Sequence, residues 1–181
     1  WLRCQAEDFT KKKHMIRADI VSDIEAYFDR LWPLNRSITG ADYRASLSIL
    51  SEVIPLEVLA FQTGETVLDW TIPNEWNVQD AYITDPRGEK VCDFKRSNLH
   101  LMGYSVPINK RMLLSELREH LYYLKDQPAA IPYVTSYYEE RWGFCLSYDQ
   151  YQTLEEGEYH VVIDATLEPG KLTVGEAVIR G

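Results

Sequence analysis

The sequence predicts an α+β fold: an N-terminal helical hairpin, then a mostly antiparallel β-rich domain with one or two short helices. Two observations predict it. The apolar spacing changes at Leu56 from a helical period to a period of two. Beyond that point, turn signals punctuate the alternating runs, at Asp85-Pro86-Arg87-Gly88 and at Glu168-Pro169-Gly170-Lys171.

The elements follow in order. Residues 1–15 differ in character from the rest and read as a leader or upstream remnant, with Met15 as a natural start. Ile16, Ile20, Ile24, Tyr27, Phe28 and Leu31 make one stripe on a helix that Pro33 stops. Thr39 is placed to cap a second helix, with Asp42 favouring its N-terminus. The stripe Tyr43, Leu47, Leu50 and Ile54 runs to Pro55 and completes a helical segment over 16–55.

The β-rich part, 56–181, opens with strands at 56–61 and 66–72 around a Gly64 turn. A hairpin joins 81–84 to 90–94, where proline presets the turn φ and Gly88 takes the left-handed position. Tyr104-Ser105-Val106 reads as a short strand. A helix starts at Ser115 with Leu117, Leu121 and Leu124 on one side, and Pro128 lies beyond it. Ser147 with Gln150 forms a capping box for a short helix. Strands at 158–166 and 172–179 close the chain around a type II turn centred on Pro169-Gly170. A strand reaching Gly181 with no closing element raises the expectation that more protein follows.

The charge narrows the function classes. With 28 acidic and 19 basic residues the net charge is −9, so nucleic acid and anionic lipid are poor partners. No apolar run reaches the length of a membrane span, and the first residues lack the apolar stretch of a secretory signal. Cys4, Cys92 and Cys145 are odd in number and widely spaced. That argues against a disulfide framework and fits the cytoplasm.

Chemistry is sparse. Phosphate-loop, nucleophile-elbow and Cys-x-x-Cys motifs are absent. His14, His100, His120 and His160 stand apart from one another, whereas zinc needs three or four converging ligands. His160 reads as a strand residue and His120 as lying on the polar side of a short helix. His100 follows a hairpin in a loop-like stretch, where functional side chains concentrate, although a histidine bonded to backbone is the commoner reading. Asp164 interrupts the apolar run Val161-Val162-Ile163 and faces the side of Val162, which suggests partial burial, a salt bridge or an outward face. Cys145 reads as a small buried hydrophobe. The aromatic stretch Tyr133, Tyr137, Tyr138, Trp142 and Phe144 suits either a core or a peptide or sugar cleft.

Longer strings carry a more specific signal. Leu31-Trp32-Pro33-Leu34-Asn35-Arg36-Ser37-Ile38-Thr39-Gly40 resembles the opening of a bacterial family of aminopeptidase-like proteins, often labelled as polysaccharide-biosynthesis proteins. The resemblance continues through Asp69-Trp70-Thr71-Ile72-Pro73-Asn74-Glu75-Trp76-Asn77-Val78-Gln79-Asp80. It extends to Ile131-Pro132-Tyr133-Val134-Thr135-Ser136-Tyr137-Tyr138 and Trp142-Gly143-Phe144-Cys145-Leu146-Ser147, and covers nearly everything after Met15.

That family is similar to zinc aminopeptidases with an α/β fold and a pair of metal ions. The resemblance implies that 56–181 is an inserted β-rich domain of unassigned role running into the start of the peptidase fold. It implies zinc in the full-length protein, held by segments that begin with a His-x-x-His-Pro string absent from this chain. No catalytic residue and no metal ligand therefore carries over, and no cofactor is expected here. The expected role is a non-catalytic front portion of a metallohydrolase whose β domain walls or caps the substrate cleft. His100, Tyr137, Tyr138 and Trp142 are the substrate-cleft candidates. The remainder of the peptidase-like domain and a peptide or small amide substrate are the expected partners. The alternatives are a self-standing peptide- or carbohydrate-binding module and a truncated product without activity of its own.

Overall fold

The structure is a computed structural model that describes residues 20–178. The leader, with Cys4 and His14, and the helix start at Ile16 lie outside the described residues. The chain divides after Leu34 into two compact units. In the first, residues 20–31 are helical (α1), with Ile20, Ile24 and Phe28 four residues apart. The Leu34 N–H donates to the Leu31 carbonyl at 3.2 Å, closing the turn through Pro33.

In the second unit, α2 (Ala41–Leu50) does not use Thr39 as its cap. Its cap residue is Gly40, at φ 104°, where a Cβ would lie 2.6 Å from the Trp76 carbonyl oxygen. The Ala41 N–H is satisfied from a distant strand, by Asn77 Oδ1 at 2.8 Å. This frees the Thr39 hydroxyl, which accepts from Trp76 N at 3.0 Å and sits 2.6 Å from the Tyr104 hydroxyl. Tertiary partners outcompete the local cap because they satisfy more buried groups at once.

β1 (Glu57–Gln62) pairs antiparallel with β10 (Lys171–Glu176), Leu59 opposite Val174. The single strand expected over 66–72 is instead a small hairpin, β2 (Thr66–Val67) and β3 (Trp70–Thr71). Leu68 turns it at φ 57°, a conformation that alternation of residue types does not signal.

The main sheet is formed by β4 (Glu75–Thr84), β5 (Lys90–Asp93), β6 (Ile108–Leu113) and β9 (Glu158–Glu168), in the order β5-β4-β9-β6 with every pair antiparallel. The β4–β5 turn is the one expected. Gly88 adopts φ 88°, its N–H donates to Asp85 O at 3.0 Å, and the Asp85 carboxylate accepts from the Arg87 and Glu89 N–H groups. On β9, Tyr159, Val161, Ile163 and Ala165 are buried, while Asp164 is exposed rather than partly buried. Phe144, Leu114, Leu117, Leu146 and Trp76 pack against the buried face and complete the core.

Other expectations change. Tyr104–Val106 is a turn, not a strand, with Tyr104 at φ 64°. The helix at 115 is a single turn, α3 (Leu114–Leu117), followed by a 3-10 turn over Arg118–His120. Leu121 leaves helical geometry because its backbone pairs with Phe144, making β7 (Leu121–Tyr122) parallel to β8 (Phe144–Cys145). α4 (Tyr148–Gln152) is capped by Ser147 Oγ, which accepts from Gln150 N at 3.1 Å. The Gln150 side chain donates to the Val91 carbonyl instead of reaching back to the cap.

Residues 168–171 do not close a hairpin. They carry the chain from β9 in the main sheet to β10 beside β1, and β10 ends at Glu176. Gly170 is not in the left-handed region, so no type II turn forms. Glycine is required there by crowding, since a Cβ would sit 2.5 Å from Glu75 Cβ.

Candidate functional site

Pro73 and Asn74 lead into β4, and Leu167 lies near the end of β9. Between them the Ser136–Glu140 stretch and the Tyr104 turn enclose a cleft of about 250 Å³. Tyr104 and Tyr137 in its lining belong to a longer run of aromatic rings that continues behind the wall. Trp76 stacks on Tyr104 at 5.6 Å between centroids, and Tyr104 meets Tyr137 edge-on at 5.1 Å. The Tyr137 hydroxyl lies 3.2 Å from that of Tyr133. Tyr138 is 81% exposed at the rim. Glu139 pairs with Arg141 at 2.9 Å, while the exposed Glu140 has no ion-pair partner among the described residues.

The Tyr104 backbone is strained, and such strain concentrates at functional positions. A chain of hydrogen bonds holds it. Trp76 N donates to Thr39 Oγ1, Thr39 donates to the Tyr104 oxygen, and Tyr104 donates to the Asn74 carbonyl at 3.2 Å. The Trp76 indole N–H also donates to Ser105 O at 3.0 Å. Burial pushes the Tyr104 phenol up to about 12, against a smaller opposing effect of the Thr39 hydrogen bond. The ring is therefore a fixed neutral wall rather than an acid or base.

The four candidates do not converge. Tyr137 and Tyr138 share this cleft. His100 ends a 3-10 turn (Asn98–His100), is 6% exposed, and lines neither this cleft nor the next. Its Nδ1 lies 2.8 Å from the Cys145 carbonyl. A carbonyl only accepts, so Nδ1 carries the hydrogen. Trp142 lines a second cleft, of about 300 Å³, beside β6. There the His120 imidazole stacks on the indole at 3.6 Å and 16° between planes, with His120 Nδ1 3.2 Å from the Trp142 carbonyl.

Sequence reasoning did not single out Tyr104 or Asn74, and it read His120 only as a residue on the polar side of a short helix. Gly143 was a usable signal for His120: a Cβ there would lie 2.5 Å from the Tyr122 ring and 3.0 Å from the His120 carbonyl, so the backbones approach closely beside Trp142.

Among the described residues no group of three or more His, Cys, Asp or Glu side chains could hold a metal ion. Cys92 and Cys145 are buried and unpaired; burial pushes the Cys145 thiol up to about 12 and raises that of Cys92 as well, so neither is a thiolate nucleophile. Among the same residues no helix is long and apolar enough to cross a membrane.

Residues 75–166 match the family profile described as a domain of unknown function (DUF2172). The chain is 47% identical over 159 residues to a Clostridium acetobutylicum protein provisionally named a polysaccharide biosynthesis protein with an aminopeptidase-like domain. That match takes in 88% of this chain and 37% of the relative. A crystal structure from Clostridium acetobutylicum, provisionally assigned as a peptidase, superposes with a TM-score of 0.85 at 44% identity, over 94% of this chain and 40% of that one. The chain thus spans well under half the length of either.

Proposed function

The chain belongs to the family described as a domain of unknown function (DUF2172), and we propose that it forms the non-catalytic front portion of an aminopeptidase-like hydrolase. In this reading the β-rich domain walls the substrate cleft, with Tyr137, Tyr138 and Glu140 nearest the substrate. One observation carries it. The tyrosine cleft lies where the chain enters and leaves the main sheet, at Pro73-Asn74 and Leu167, next to the turns that lead to β1 and β10. A wall at that end of the domain is placed to meet whatever the β1–β10 ladder packs against.

The remainder of the peptidase-like domain is the partner proposed for the ladder, whose Leu59, Phe61, Leu172 and Val174 face is incompletely covered. Zinc, in the whole protein, is assigned to segments other than the described residues, which do not fit a metal. The substrate class is a peptide or small amide. Buried unpaired thiols support a cytoplasmic location.

The test is made in the longer protein with an aminoacyl amide as substrate. Tyr138→Ala and Tyr137→Phe lower kcat/KM by about tenfold, the loss expected for about 1.4 kcal/mol of transition-state contact. Thermal unfolding stays unchanged for Tyr138→Ala. Unaltered kinetics in both variants, or stoichiometric zinc on the 181-residue chain alone, overturns the reading.

A further inference from the structure

The second cleft shares no lining residue with the tyrosine cleft and has no part in the wall role. Its floor is one face of β6: Ile108, Lys110 and Met112 are two residues apart and all line it. The α3 turn and the stretch after it supply Ser115, Glu116 and Glu119. The stacked His120–Trp142 pair closes the far side.

This pair is built in advance of any ligand. The imidazole lies nearly parallel to the indole, and its Nδ1 hydrogen is held by the Trp142 carbonyl. Gly143 permits the close backbone approach. The hydrogen-bonding groups around the pair are unspent. Lys110, Glu116 and Glu119 have no ion-pair partner among the described residues, although Arg111, Arg118 and Lys95 elsewhere on the surface are all paired. The Trp142 indole N–H and His120 Nε2 also lack a protein partner among those residues.

The donor and acceptor pattern selects the ligand. Lys110 and the indole N–H only donate. The two carboxylates, and Nε2 of the neutral imidazole, only accept. A matching ligand presents donors and acceptors side by side on a ring that also has an apolar face for the aromatic pair. Adjacent hydroxyls on a pyranose meet that description. A phosphate would be repelled by two carboxylates, and a purely apolar ligand would strand the polar rim. About 300 Å³ lies at the small end of the ~300–1,000 Å³ of ligand clefts, the scale of one or two sugar rings.

We propose that the cleft between β6 and the His120–Trp142 pair is a saccharide-binding site. The test uses the full 181-residue chain, ¹⁵N-labelled, titrated to millimolar concentrations with glucose, galactose, mannose, glucosamine and N-acetylglucosamine. At least one sugar produces saturable shifts in the Trp142 indole resonance and in the amides of 115–120. Trp142→Ala weakens that binding by about tenfold or more, as loss of the aromatic platform requires. Because Trp142 also packs on the core, Glu119→Gln on the exposed surface serves as the second variant, and it weakens binding at least about threefold while the spectrum stays folded. No saturable shift with any of the five sugars, shifts confined to Tyr137 and Tyr138, or undiminished affinity in Glu119→Gln overturns the proposal.

Discussion

The main sheet and the β1–β10 ladder are built from similar residues and stand in different energetic positions. In the main sheet, Tyr159, Val161 and Ile163 of β9 press against Phe144, Leu114 and Leu117, all nearly or wholly buried. The ladder has only two strands. α2 lies against one face only at its β10 side, where a Cβ on Gly175 would meet the Leu47 side chain at 2.8 Å, while Val58 on the same face is 51% exposed. The opposite face carries Leu59, Phe61, Leu172 and Val174 with Val174 still 40% exposed. A two-stranded ribbon is marginal in water, so the ladder draws its stability from the elements docked on it. The difference separates a part that carries its own core from a part whose covering is incomplete among the described residues.

The comparison is broken most severely from the core side. Phe144→Ala removes a ring with no solvent exposure and should cost about 3–5 kcal/mol in urea unfolding, enough to unfold a marginal domain. A cost under about 1 kcal/mol would mean that the main sheet does not carry the core.

The joint between the regions comes next. Glu75 opens β4, takes two hydrogen bonds from Arg44 of α2 at 2.7 and 2.8 Å, and accepts from the Lys171 N–H of β10 at 3.2 Å. Hydrogen bonding to Arg44 is the chief reason its carboxyl is lowered from 4.5 to about 2. The folded value lies below the unfolded one. The stability it contributes is therefore complete above pH 4.5 and is lost as pH falls through 2. Glu75→Gln should cost about 1–2 kcal/mol at neutral pH, between the exposed and buried limits for ion pairs. It should also flatten the loss of stability between those pH values, read by circular dichroism in urea.

The smallest effect belongs to the partly exposed Val174 on the ladder. Val174→Ser should change the stability of this chain by no more than about 0.5 kcal/mol. A larger cost would show that the face is already packed, and would remove the distinction between the two regions.

The readable parts of the fold were those governed by contacts close in sequence. The β4–β5 turn was legible because Asp85, Pro86 and Gly88 each satisfy a local backbone requirement. The Ser147 cap was legible for the same reason. β6 was not, because Asn109, Lys110 and Arg111 are the polar residues of an edge strand and mask its alternation. Thr39 was misread because its hydroxyl answers to Trp76 and Tyr104, 37 and 65 residues away. Of the candidate residues, Tyr137 and Tyr138 could be grouped from sequence proximity. The separation of Trp142 into another cleft, and its pairing with His120, could not.

From sequence came the α+β class, the net negative charge, and the family resemblance, since each depends on composition, period or strings of neighbouring residues. Tertiary structure decided which strands pair, that β9 and β10 part company at Gly170, and that the aromatic stretch serves two clefts instead of one. The physical reason is that these features are set by hydrogen bonds and packing between distant segments. Their energies appear only once the backbone has brought those segments together.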